Sequence, residues 1–144
     1  MRTYNNIFGP AIEVQNIKAC ILEASKNGKM KKRCVREVIE NIDEESEKVH
    51  DIMKNHSTVF KTYELCEIRE GIKRKRREIA KPHFKYDQMI QHVLISQIRP
   101  IVMKSLYEYA HGSLKNRGPL QTAQAISKWL RKDPEGTRYC LQMD

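Results

Sequence analysis

The sequence predicts a helix-rich α+β fold: N-terminal helices, one basic antiparallel β-hairpin, further helices and a final strand. Three observations carry this expectation. Apolar residues recur at helical spacing in the first third of the chain, most cleanly at Met30, Cys34, Val35, Val38, Ile39 and Ile42. Residues 64–68 instead alternate polar and apolar side chains, the two-residue period of a half-buried strand. Gly71, then the unbroken cations Lys73, Arg74, Lys75, Arg76 and Arg77, then Ile79 ahead of Pro82 supply a turn and a second strand that ends where a proline must leave the ladder.

Taken in order, residues 1–10 form a polar lead-in closed by Gly9 and Pro10. Residues 11–26 read as a helix with Ile12, Ile17, Ile21 and Leu22 among its apolar positions, and Asn27-Gly28 stops it. A second helix starts near Lys29. Asp43 is a candidate N-cap for a third helix carrying Val49, Ile52 and Met53, although the pattern is equally compatible with one long helix through residues 41–43. These stripes read as core. The acidic run Glu40, Asp43, Glu44, Glu45 and Glu47 is spread around the helix axis and is expected to be a solvated face rather than a metal site.

Beyond the hairpin, Asp87 can open a helix with Met89, Ile90, Val93, Leu94 and Ile98, which Pro100 should kink or restart. The continuation through Ile101, Val102, Leu106 and Tyr107 should end at His111-Gly112. Residues 113–119 make a second basic loop with Lys115 and Arg117, most simply a turn between helices. Residues 120–130 are helical again, with Ala123, Ile126, Trp129 and Leu130 on one side, and Asp133-Pro134 with Gly136 breaks them. Tyr139, Leu141 and Met143 alternate with Cys140 and Gln142, so a strand closes the chain at Asp144. Two regions are expected: an N-terminal helical region over 1–57 and a second region over 58–144.

The 144 residues carry 27 Lys and Arg against 18 Asp and Glu, a formal net charge of +9. That balance favours nucleic acid or another anionic surface as partner. No apolar run approaches membrane-spanning length and the N-terminus is no signal peptide, so a cytoplasmic location is expected. Cys20, Cys34, Cys66 and Cys140 lie far apart with no CxxC pair, which suits thiols filling core positions better than zinc. His50, His56, His83, His92 and His111 pair with no Cys or His at ligand spacing and read as structural or surface residues.

Five adjacent cations repel one another and are comfortable only in water or against an anion. Such runs are usually solvated loops or localisation tracts. Set between two strands, however, the run can act as a phosphate-binding finger. On a strand, Lys75 and Arg77 would point the same way and could reach one polyphosphate, with Lys73, Arg74 and Arg76 available to a nucleic-acid backbone.

Three stretches carry a resemblance. The first is Arg77-x-Ile79-x-x-Pro82-x-x-x-x-Asp87-x-x-Ile90-Gln91-His92, the second Tyr109-Ala110-His111-Gly112-Ser113-x-x-x-Arg117-Gly118, the third Tyr139-x-Leu141-x-Met143-Asp144. In this order the segment 77–144 resembles the start of the polymerase domain of bacterial and phage reverse transcriptases, with Gln88 standing where that family usually has Arg. The resemblance implies a fingers subdomain followed by the beginning of an incomplete palm. It implies that Lys75 and Arg77 meet the triphosphate of an incoming deoxynucleotide and that Arg117, with Lys115, lines the template and nucleotide side. Asp144 would be the first of three catalytic carboxylates holding Mg²⁺, with an RNA template and a DNA primer as partners. The Tyr-x-Asp-Asp turn that supplies the other two does not occur in the sequence, so this chain alone is expected to be inactive. A last strand without palm neighbours would leave an open edge, and self-association through it is expected. The alternative reading is a stand-alone basic module that binds nucleic acid without catalysis.

Overall fold

The computed structural model describes residues 4–57, 62–71, 74–112, 114 and 116–141. Six α-helices and one two-stranded antiparallel sheet make up the described residues, which is the expected helix-rich α+β class. The elements are α1 Phe8–Ile12, α2 Val14–Ala24, α3 Arg33–Glu40, α4 Ile42–Lys54, β1 Glu64–Glu70, β2 Lys75–Lys81, α5 Met89–Ser105 and α6 Pro119–Lys132. The chain divides into two compact units, Met1–Val102 and Met103–Asp144.

The first helical stretch breaks in two at Glu13, whose extended backbone (φ −58°, ψ 129°) separates α1 from α2. Asn27 and Gly28, at φ 59° and 80°, end the run that follows α2, as their left-handed backbone requires. Residues 29–31 then form one tight helical turn rather than the start of a regular helix, and α3 begins at Arg33. The chain does break between the next two helices, at Asn41 (φ −112°, ψ 33°). Asp43 therefore sits inside the first turn of α4 instead of capping it, where its charge suits the helix dipole and pairs with Lys18.

The core of the first unit forms where α2 packs on α4, α3 meets both α4 and residues 84–88, and Met89, Ile90 and Val93 of α5 are buried with them. Ile17, Ile21, Val35 and Val49 are wholly buried. His50 ties α4 to α1 through a 2.6 Å hydrogen bond between Nδ1 and the Ile12 carbonyl. Of the cysteines only Cys20 joins the core; Cys34 and Cys140 are exposed and Cys66 half-buried, so the expectation that thiols fill core positions holds for one of the four. The acidic face also departs from expectation. Glu45 is buried, because α4 turns it towards residues 84–88 and Lys85 reaches it at 2.9 Å.

Between the sheet and α5 the chain makes a wide irregular turn at Phe84–Gln88. Tyr86 holds φ 71° and ψ −58°, the γ-turn region that non-glycine residues rarely adopt. The neighbours fix it. The Asp87 carboxylate accepts the His83 backbone N–H at 3.3 Å, and the Gln88 side chain donates to the Pro82 carbonyl at 2.9 Å. α5 then continues through Pro100 without restarting and ends at Ser105 rather than near His111. Pro100 is exposed, so the carbonyl it leaves without a helical donor can turn to water.

The second unit contains α6, with Pro119 at its first position, which suits a residue lacking an N–H. None of its described residues is buried. Residues 139–141 are not in a strand, having no partner strand among the described residues, and 142–144 lie outside them. No helix among the described residues is long and apolar enough to cross a membrane.

Candidate nucleic-acid interface

The hairpin builds the site. Strand pairing runs from Glu64 opposite Lys81 to Glu70 opposite Lys75. The tip turns at Gly71 (φ 72°) and Arg74 (φ 46°), with the Arg74 N–H donating to the Gly71 carbonyl at 3.0 Å. Lys75, Arg76 and Arg77 thus belong to the strand and Arg74 to the tip, while Lys73 lies outside the described residues.

Register sorts the charges onto two faces, because residues directly opposite share a side. Lys75, Arg77, Ile79 and Lys81 share one face with Glu70, Ile68, Cys66 and Glu64. Arg76, Glu78 and Ala80 share the other with Arg69, Glu67 and Leu65. Lys75 and Arg77 therefore do lie on one side, one strand period apart. Cys66 and Ile68 on that face are half-buried, whereas all of β2 is exposed.

Two of the candidate cations already have partners. Arg77 Nε meets Glu70 at 3.0 Å and Arg76 Nε meets Glu67 at 2.7 Å, with Arg69 also 3.9 Å from Glu67. Arg76 offsets the repulsion between Glu67 and Glu78, which stand opposite each other. Lys75 is in no ion pair among the described residues. Exposed pairs of this kind contribute ~0–1 kcal/mol each, little enough for a phosphate to displace them with a charge-assisted bond of its own. Between residues 64 and 81 seven cations face four acids, so the hairpin stays cationic after internal pairing. At its root the Lys81 ammonium is held above the ordinary lysine value, first by hydrogen bonding to Cys66 and by its charge, then by Glu64.

The second basic loop is built differently. Arg117 Nη1 donates to the carbonyls of Glu108 at 3.0 Å and Ala110 at 3.2 Å, so part of its guanidinium holds residues 108–110 in place. His111 Nδ1 meets Thr122 Oγ1 at 2.8 Å, and the Tyr109 ring stands edge-on to Trp129 at 4.6 Å. Beside them runs an open groove of about 550 Å³ that includes Arg117, His111 and Thr122. Lys115 and Asp144 lie outside the described residues. Among the described residues no group of three Asp, Glu, His or Cys side chains is gathered that could hold a metal ion.

Sequence reasoning missed the contacts that anchor the hairpin root. Gln88 Oε1 accepts a hydrogen bond from Lys29 Nζ at 3.1 Å, and Glu45 accepts one from Lys85. The paired residues are 59 and 40 positions apart, and neither pattern nor spacing signals such a pairing. No protein-family model and no curated protein matches this chain.

Proposed function

We propose that this chain is the fingers portion of an RNA-directed DNA polymerase of the cytoplasm, and that its hairpin grips the phosphates of an RNA–DNA template–primer and of an incoming deoxynucleotide. The observation that carries the reading is the β1–β2 register, which sets Lys75 and Arg77 on one exposed face of a strand ending in a cationic tip. Two guanidinium or ammonium groups spaced along one strand face suit successive phosphates better than they suit a single carboxylate. Glu67 and Glu70 pair with Arg76 and Arg77 until a phosphate takes their place.

Binding of this chain to a labelled RNA–DNA primer–template across a salt series, beside Lys75→Ala/Arg77→Ala, tests it. Affinity should fall steeply with salt, and the variant should bind more weakly with a log–log slope shallower by roughly one per lost phosphate contact. Equal affinity and slope for both proteins would remove the hairpin from the interface.

A second reading draws support from the first unit, which contains both a buried helical core and the cationic hairpin. On that reading the chain is a basic nucleic-acid-binding module without catalysis. A deoxynucleoside triphosphate separates the two. Thermal stabilisation of the wild type, lost in the Lys75→Ala/Arg77→Ala variant, favours the fingers; strand binding with no response to the nucleotide favours the module.

A further inference from the structure

A semi-enclosed pocket of about 220 Å³ opens at the hairpin root, between the first residues of α3 and the stretch that leaves β2. Its rim carries Lys29, Lys32, Lys81 and His83, with Gln88 and one acid, Glu64. Among the described residues none of the three lysines is in an ion pair. Lys29 spends one hydrogen on the neutral Gln88 oxygen at 3.1 Å and lies 5.9 Å from the Phe84 ring centre, and neither of these partners carries a neutralising charge. Burial, and next the charge of Lys29, hold the pKa of His92 down, with Glu23 opposing. Lys32 precedes α3, whose first turn has neither an acidic residue nor a side-chain cap, so the helix adds its positive end to the same space.

Size narrows the occupant. A pocket that swallows a whole small ligand measures roughly 300–1,000 Å³. This one is smaller, and so fits a single anionic group whose remainder lies outside. We propose that the pocket is a second phosphate site, which takes one backbone phosphate of a nucleic-acid strand that continues past its mouth. The site is distinct from the Lys75–Arg77 face, and the inference rests on the nucleic-acid reading above. Lys29 and Lys32 provide the charge, Gln88 the orientation of Lys29, and Phe84 the wall.

Cys34 lines the pocket and is exposed, which gives a local readout that does not pass through the hairpin tip. The rate of Cys34 alkylation by iodoacetamide, mapped by peptide mass spectrometry, would be followed with and without the RNA–DNA primer–template, and with inorganic phosphate alone. Binding would be titrated in parallel for Lys32→Gln and for Lys29→Gln/Lys32→Gln. Lys32 is exposed and makes no ion pair among the described residues, so its single variant keeps the test interpretable should the double variant lose folded structure. The expected result is slowed Cys34 alkylation in the complex, and a salt slope about one unit shallower in the variants. Wild-type-like binding by the variants, with Cys34 as reactive in the complex as in the free protein, overturns the pocket while leaving the hairpin reading intact if Lys75→Ala/Arg77→Ala still weakens binding. Protection by inorganic phosphate but not by the primer–template overturns the strand assignment in favour of a free anion. No primer–template binding at low salt overturns both readings together.

Discussion

The helical core and the hairpin of the first unit are held by different forces. In the core, Ile17, Ile21, Val35 and Val49 are wholly buried on three helices. In the hairpin no described residue is buried, and its order comes from the strand ladder, from half-burial of Cys66 and Ile68, and from surface ion pairs. Burial stabilises by roughly 1.5–3 kcal/mol per large aliphatic side chain, whereas an exposed ion pair contributes ~0–1 kcal/mol. The chain thus keeps its stability and its candidate binding chemistry in separate places. Changing charges on the hairpin should therefore leave the protein folded.

The sharpest way to break that comparison is a pair of truncations. Ile21→Ala should lower stability to urea by about 2–5 kcal/mol, because a wholly buried side chain leaves a cavity. Ile79→Ala, at an exposed position on β2, should lower it by no more than about 0.5 kcal/mol. Comparable losses for the two would mean that the hairpin is as tightly packed as the core.

A smaller effect lies where the two regions join. Glu45 is buried, its Oε1 accepts from Lys85 and Lys48, and its Oε2 has no partner among the described residues. Lys85→Met should therefore destabilise by about 1–3 kcal/mol, below the usual figure for a buried pair because Lys85 is half exposed. Glu45→Leu should cost less than Lys85→Met, since it removes the buried charge together with its need for partners. The reverse order in urea unfolding would show that the carboxylate is a net stabiliser of the turn at residues 84–88.

The contrast also explains what the sequence made legible. Local signals were readable: the stripe on α3, the stop at Asn27-Gly28, the alternation in β1 and the turn at Gly71 all arise within a few residues. The end of α5 was not, because no turn residue marks it. Ser105 ends α5 well short of His111, where Arg117 holds the Glu108 and Ala110 carbonyls from beyond the turn. Of the candidate site, the shared face of Lys75 and Arg77 follows from strand period alone. The pairing of Arg77 with Glu70 and of Arg76 with Glu67 needed the register, and the lysines at the hairpin root needed the tertiary fold.

Those hairpin pairs give the next prediction, in binding rather than stability. Glu67→Gln/Glu70→Gln removes the two acids that occupy Arg76 and Arg77. Unfolding should shift by less than about 0.5 kcal/mol. Affinity for the primer–template should rise and its salt slope steepen, since more of the cationic charge is free to displace counterions. Unchanged affinity would place the contacting phosphates away from these arginines.

The smallest expected effect belongs to the core side of the comparison and depends on pH. Burial, and then the charge of Lys29, hold His92 below the usual histidine value, with Glu23 opposing. The unfolded chain, titrating near ~6.5, takes up a proton that the folded chain refuses. Stability from this group is therefore complete above about pH 6.5, falls as the pH drops from there towards the folded value, and levels off below it. His92→Gln should flatten that part of the profile, seen as a smaller difference in urea midpoint between pH 7.5 and pH 5 than in the wild type. Lys29→Gln should flatten it only in part, because burial, the larger cause, remains. A profile unchanged by Lys29→Gln would mean that the lysine's charge does not reach His92, and would weaken the case that the pocket beside it is electropositive.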